Sequence, residues 1–211
     1  MPFFSPDSKF MQAMSRVYDL TVLNVLFLLT CLPIFTTGAA STALYSVCFR
    51  IGTEKEEGIF RGYFRAFREN FKQGTALFLP LLVFGGLFGY NIAYFYVQAG
   101  AAHYISYLFV LLMALVVFIY CYAFPLLSQF SNTVKATLKN ALLLGIGYLP
   151  RSLLMAALNF LPLALLLTDF VLFLQLGFLW TFLYFSAAAY LNALLLRKVF
   201  APYFEGQPDV Q

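Results

Sequence analysis

Few side chains in this 211-residue sequence could do chemistry. His103 is the single histidine, and it stands in a short link between two apolar stretches with no second base or metal ligand beside it. Glu54, Glu56 and Glu57 cluster around Lys55 and read as a solvated turn. Cys31, Cys48 and Cys121 each fall in apolar surroundings without CxxC spacing, so they are expected as small hydrophobes rather than metal ligands or disulfide partners. HExxH, GxSxG and a Gly-rich phosphate loop are all missing from the sequence. No catalytic residue, cofactor or metal is expected, and the chain does not read as an enzyme.

Two polar positions in apolar surroundings form the candidate intramembrane site, Arg151 and Asn24. Arg151 follows Asn140 by eleven residues, about 16 Å along a helix at 1.5 Å per residue. A charge at such a depth is costly and often functional. Two plainer readings compete with that one. The span could start near Pro150, leaving 135–149 as an interfacial helix, or the guanidinium could snorkel to a headgroup. Asn24, Asn91, Asn159, Asn192 and Gln175 are expected to hydrogen-bond between helices, worth about 1 kcal/mol each. No acid lies in the middle of an apolar run, so the intramembrane carboxylate common in ion-driven carriers is missing; residues 33–38 could supply broken-helix carbonyls instead.

The most ordered pattern lies at 57–72. Phe60, Tyr63, Phe64, Phe67 and Phe71 recur at helical spacing, and Arg61, Arg65, Arg68 and Lys72 take the adjoining face. Rings against acyl chains beside cations at anionic headgroups describe a helix in the membrane interface. The alternative is a coupling helix that docks on a cytoplasmic partner. Phe60, Phe64, Phe67 and the four cations are thus the candidate contact residues for either.

These residues need elements to hold them, and the composition says what kind. Hydrophobic residues make up 62% of the chain and charged ones 10%, against roughly a quarter charged in soluble domains, and mean hydropathy is +0.83. So few charges cannot cover a water-facing surface; most of the chain must face lipid. Apolar runs occur at 20–35, 75–97, 104–127, 141–167 and 170–196, and the last four reach the roughly 20 residues that span a bilayer. The first is interrupted at Pro33 and Gly38 and resumes to residue 49, so 20–49 is either one kinked span or a hairpin of two segments. The expected fold is all-α: one polytopic transmembrane helical bundle over 1–211, with five or six membrane segments and a cytoplasmic interfacial amphipathic helix.

Positive charge sets the expected orientation. Residues 50–72, Lys135 with Lys139, and Arg197 with Lys198 are basic, whereas the links 98–103 and 168–169 hold no Lys or Arg. The positive-inside rule puts the basic segments and the C-terminus in the cytoplasm. With Lys9 and Arg16 also inside, the hairpin alternative for 20–49 is favoured. The string Gly38-Ala39-Ala40 resembles a signal-peptide cleavage site, but Asp7, Asp19 and a long mixed-polarity start oppose that reading. A weak repeat at an offset of 70 residues pairs Arg65, Asn70 and Pro80 with Lys135, Asn140 and Pro150, each copy reading as a basic helix followed by two spans.

The string Phe3-Phe4-Ser5-Pro6-Asp7-Ser8-Lys9-Phe10 leads into Arg16-Val17-Tyr18-Asp19-Leu20, Leu23-Asn24-Val25-Leu26-Phe27 and Cys31-Leu32-Pro33-Ile34. Thr37-Gly38-Ala39-Ala40, Asn70-Phe71-Lys72-Gln73, Phe124-Pro125-Leu126 and Leu138-Lys139-Asn140-Ala141 with Leu149-Pro150 follow. Together these resemble the YesL-like family of bacterial membrane proteins, whose domain has no assigned function. Arg151 departs from the neutral residue expected after Leu-Pro. The family's genes often accompany carbohydrate-uptake permeases of the ATP-binding-cassette type, so the resemblance implies a non-enzymatic accessory or regulatory role in sugar import at the plasma membrane. The implied partners are the lipid bilayer and carbohydrate ABC transporter subunits, with no nucleic acid. The rival expectation is a small solute transporter or a permease subunit, for which 141–150 carries the Gly and Leu-Pro elements of an ATPase-gripping loop without its acidic opening.

Overall fold

The computed structural model describes residues 9–51, 53, 58–98 and 102–204, and every regular element among them is helical. Pro33 divides the first apolar stretch. A proline lacks a backbone donor and clashes with the preceding turn, so helix α1 (Lys9–Cys31) stops before it. A 3-10 turn, Ile34–Thr36, then leads into α2 (Thr37–Arg50). Thr36 closes the break: its hydroxyl lies 2.5 Å from the Thr30 carbonyl and 2.6 Å from that of Pro33, acceptors that a helix end leaves free. α1 is long and apolar enough to cross a membrane by itself, over Phe10–Cys31, so 20–49 holds two helices and not one kinked span. α1 also begins well before residue 20. Phe10, Met14, Val17 and Tyr18 keep an apolar stripe at helical spacing through residues whose average polarity hides it.

α2 is the interior of the molecule. Every residue from Gly38 to Phe49 is buried, as befits a helix with no face turned to solvent or lipid. It packs against α1, α3 (Ile59–Glu69), α4 (Phe71–Tyr96) and α5 (Ala102–Gln129), and against the last long helix. Its 14 residues measure about 21 Å, short of the roughly 30 Å of hydrocarbon that a lipid-facing span must cross. Small side chains make the approach possible. A Cβ on Gly38 would collide with the Gly74 carbonyl, and one on Gly74 would come within 2.8 Å of the Ala39 backbone. The string that resembles a cleavage site is thus a helix-packing surface of the small-residue kind. At the other end Arg197 donates to the carbonyls of Phe49 and Ile51, at 2.8 and 3.1 Å, placing a cation at the negative end of α2.

Two expected spans are divided differently from the hydropathy runs. The stretch 141–167 is not one span: α6 (Val134–Gly147), capped at its start by Thr133, ends at Tyr148, and α7 runs Leu149–Thr168. Pro150 lacks a donor for the ladder there, and the buried Ser152 hydroxyl sits 2.7 Å from the Gly145 carbonyl, within the break. The stretch 170–196 is also two pieces. Asp169 caps the six-residue α8 (Phe170–Gln175), and the long helix α9 starts only at Gly177. α9 runs as Gly177–Leu179, a π-helical turn Trp180–Tyr184, and Phe185–Phe204. The Trp180 indole donates to the Phe173 carbonyl at 2.9 Å and staples α8 to α9.

Among the described residues, α1, α4, α5, α7 and α9 are long and apolar enough to cross a membrane. Their outer faces carry exposed Leu82, Val83, Phe84 and Leu87 on α4, Leu108 and Leu111 on α5, and Phe178 and Phe182 on α9. Apolar surface of that extent is covered by lipid; the chain is an all-α polytopic membrane bundle. The element order α3–α4–α5 is echoed by α6–α7–α9, a short helix and then two span-length ones. The residues matched in sequence are not equivalent, however: Asn70 joins α3 to α4, whereas Asn140 lies inside α6.

The α2–α4 contact yields the first prediction. Gly38→Ala should destabilise the protein by about 1–3 kcal/mol through overpacking. Gly85→Ala, where nothing lies within 4 Å of the new methyl, should leave it unchanged or slightly more stable. Thermal unfolding midpoints in detergent compare the two; equal midpoints would mean that α2 and α4 do not meet at these glycines.

Candidate functional site

α3 supplies the first set of candidate residues. Gly62, Tyr63 and Ala66 form its buried stripe, with Tyr63 0% exposed. The Tyr63 hydroxyl shares a 2.5 Å hydrogen bond with the Thr30 hydroxyl near the end of α1. Burial pushes that phenol above the usual tyrosine range; the bond to Thr30 offsets part of the shift and the neighbouring Cys31 adds to it. The aromatic face is therefore split. Tyr63 turns into the bundle, Phe67 is half-buried and stacks on it, and Phe60 and Phe64 stay 59% and 40% exposed. Arg61, Arg65, Arg68 and Lys72 are all exposed on the next sector of the same surface. Arg65 approaches Glu69 at 4.0 Å, an exposed pair worth little. α3 thus presents a buried stripe, an aromatic edge and a cationic edge in succession around its axis; the expected helix to residue 72 is cut at Asn70, so Phe71 and Lys72 lie in the first turn of α4.

Asn24 is buried, and its role is structural. Its amide donates to the carbonyls of Trp180 and Thr181 at 3.0 and 2.8 Å and accepts from the Ser186 backbone at 2.9 Å. One side chain inserts into the backbone ladder of α9 at its π-turn, the kind of insertion that perturbs a helix locally. The Ser186 hydroxyl reaches the Leu20 carbonyl at 2.7 Å and closes the same junction. Arg151 lies in the first turn of α7, half-buried, with its guanidinium 5.3 Å from the Tyr148 ring centre. The break at Tyr148 takes it out of mid-span, so the reading in which the span starts near Pro150 describes its place.

The remaining candidate residues are accounted for locally. His103 Nδ1 lies 3.0 Å from the Tyr96 carbonyl, and the ring sits among Tyr96, Tyr104 and Tyr107 where α4 and α5 meet. The three cysteines are free thiols. Glu54, Glu56 and Glu57 fall outside the described residues.

A second site was not legible as such. Five helices line a half-open cavity of about 290 Å³, with Cys31 from α1, Thr37, Ser41 and Tyr45 from α2, Tyr120 from α5, Asn159 from α7 and Tyr184 from α9 in its wall. No charged residue lines it. Behind the wall, Asn192 donates to the Tyr45 hydroxyl at 3.2 Å and to Asn159 Oδ1 at 2.8 Å. Asn159 in turn donates to Cys121 Sγ at 3.5 Å. Asn159 and Asn192 were recognisable as polar interruptions of apolar runs. The hydroxyls of Tyr45, Tyr120 and Tyr184 carry no such signal, because tyrosine counts as hydrophobic in a run.

Residues 20–92 match the family described as protein of unknown function, DUF624, to which YesL-like proteins belong. The match covers the second half of α1, all of α2 and α3, and α4 almost to its end. No curated protein and no solved structure matches the chain.

The Asn24 junction can be tested directly. Asn24→Leu strands the Ser186 amide and two carbonyls of α9, and an unmet buried hydrogen-bonding group costs about 1–3 kcal/mol. Its unfolding midpoint in detergent should fall well below that of Asn91→Leu, whose amide bonds only within its own helix, to Leu87. Equal midpoints would remove Asn24 from the α1–α9 joint.

Proposed function

We propose that this chain, a DUF624 protein of the YesL-like kind, is a multi-pass protein of the bacterial plasma membrane that assists or regulates carbohydrate uptake without catalysing a reaction. The observation that supports this reading is the construction of α3. Its inner stripe is held on α1 by the Tyr63–Thr30 bond and lies against α2 where Gly62 faces Val47, while its aromatic and cationic edges stay exposed. A helix held so firmly on one side is suited to transmit contact with a membrane surface or a protein partner to the bundle behind it. Near anionic lipid each of the four cations adds up to about 1 kcal/mol. The implied protein partners are subunits of a carbohydrate importer of the ATP-binding-cassette type.

A permease subunit is less well supported. Residues 141–150, which would have to form an exposed gripping loop, are instead the second half of α6, the Tyr148 break and the first residues of α7. A small carrier remains the second reading, favoured by the uncharged interior cavity.

The orientation that fits puts α3, Lys135, Lys139 and the end of α9 in the cytoplasm. A cysteine placed at Gln98 or Thr168, in a variant lacking the native thiols, should then react with a membrane-impermeant reagent on intact cells. One placed at Lys139 should react only after permeabilisation. The opposite pattern reverses the topology.

For function, the protein purified from its native membranes should bring importer subunits with it, and its loss should reduce uptake of a carbohydrate. Changing Arg61, Arg65, Arg68 and Lys72 together to Gln should leave the unfolding midpoint nearly unchanged but diminish that association or the retention of anionic lipid. Solute flux through the purified protein alone would favour the carrier. An unaltered set of associated proteins and lipids in the Gln variant would remove α3 from the contact.

A further inference from the structure

We infer that the cavity between α1, α2, α5, α7 and α9 is a binding site for an uncharged small molecule that carries several hydroxyl groups on an apolar frame. Its volume of about 290 Å³ lies just below the roughly 300–1,000 Å³ of drug-sized sites, and would hold about ten waters at 30 Å³ each. Rings from Phe27, Tyr45, Tyr120, Tyr184 and Phe185 supply flat apolar walls. The polar groups of the wall are hydroxyls and a single amide, with neither a carboxylate nor a cation among them.

The hydrogen bonds within the wall leave capacity for such an occupant. Tyr45 accepts from Asn192, so its own proton is not committed by that bond. Asn159 spends its Oδ1 on Asn192 and one amide proton on the sulfur of Cys121, a weak acceptor, and a second amide proton remains. Asn192, 0% exposed and tied to both of these wall residues, has an Oδ1 with no partner among the described residues. Buried polar groups are normally matched; here two wall residues keep donors. The wall hydroxyl of Tyr184 spends its proton on the Leu158 carbonyl at 2.8 Å and keeps its lone pairs as an acceptor, while Asn192 lies behind the wall. A mixed set of donors and acceptors on aromatic walls suits hydroxyl groups, which both give and accept. A charged ligand would lose its hydration without a counter-charge in the wall. An acyl chain would leave those polar groups unmet. The occupant is therefore a polyol of about the size of a monosaccharide.

This inference stands on the cavity and does not depend on any importer partner. Trp180, the single tryptophan, provides the reporter: its ring lies 4.6 Å from that of Tyr184, a cavity-wall residue. The full-length protein in lipid nanodiscs is titrated with a panel of neutral hexoses, pentoses, deoxyhexoses and linear polyols. Glucuronate, glucosamine and a single-chain lipid serve as charged and apolar counterparts. At least one neutral member should change the Trp180 emission saturably, while the charged sugars do not. Ala189→Phe, which fills the cavity without removing a polar group, and Asn159→Leu should each weaken that binding roughly tenfold or more, about 1.4 kcal/mol. Both variants are first checked for an unaltered elution volume and helical circular dichroism, and Ala189→Leu, a smaller apolar filler, replaces the phenylalanine if that does not fold, with Asn159→Leu carrying the loss in either case. Three results would each overturn the assignment: no saturable response to any neutral member, a response to the single-chain lipid alone, or undiminished affinity in Asn159→Leu.

Discussion

A helix that touches neither water nor lipid has to be built from residues its neighbours can approach, and α2 is that helix. Its position in the centre of the bundle decides what surrounds it. Gly38 and Gly74 let α2 and α4 meet backbone to backbone, and Ala39, Ala40 and Ala43 keep the rest of its circumference narrow. Its carbonyl end, buried among other helices, would carry free acceptors, and Arg197 satisfies two of them from the end of α9. The same arginine that marks a cytoplasmic segment by the positive-inside rule is thus a structural tie.

Polar groups inside the bundle obey the corresponding constraint, because a hydrogen-bonding group in hydrocarbon must find its partner within the protein. At the π-turn of α9 the regular ladder is interrupted, and Asn24 supplies both donor and acceptor across the gap. At the Tyr148 break Ser152 does the like with its hydroxyl. Thr36 does so at the end of α1. Each of these three departures from helical regularity has its own compensating side chain.

The membrane-bundle fold was legible because charge is so scarce, and α4 and α5 were legible almost to their ends because their hydropathy is unbroken. The other boundaries were not, for identifiable reasons. Phe10, Met14, Val17 and Tyr18 are diluted by Gln12, Ser15, Arg16 and Asp19, so the start of α1 is visible as periodicity but not as average hydropathy. Tyr148 and Leu176 end helices through backbone geometry and a following Pro or Gly, within runs that are apolar throughout. On α3 the sequence shows which residues share a face, but not that Tyr63 would turn inward while Phe60 and Phe64 stay out. That division depends on the neighbouring Thr30 hydroxyl and on the small residues Gly62 and Ala66. The cavity was hidden for a related reason: its polar wall consists largely of tyrosines, threonine and serine from three distant stretches, none unusual in its own surroundings.

The two sites are close in the chain of contacts. Thr30 holds the Tyr63 hydroxyl, and the next residue, Cys31, lies in the cavity wall. On the same buried stripe of α3, Gly62 comes near Val47, two residues beyond Tyr45, whose ring also borders the cavity. A force applied to the exposed edge of α3 therefore reaches the wall through one hydrogen bond on α1 and one turn of packing on α2. Because α2 has no slack against α4 at Gly38, a displacement of α3 cannot be absorbed by moving α2 sideways there. The contact helix and the cavity wall thus share no side chain of their own and are joined only through neighbours, Thr30 beside Cys31 on α1 and Val47 near Tyr45 on α2.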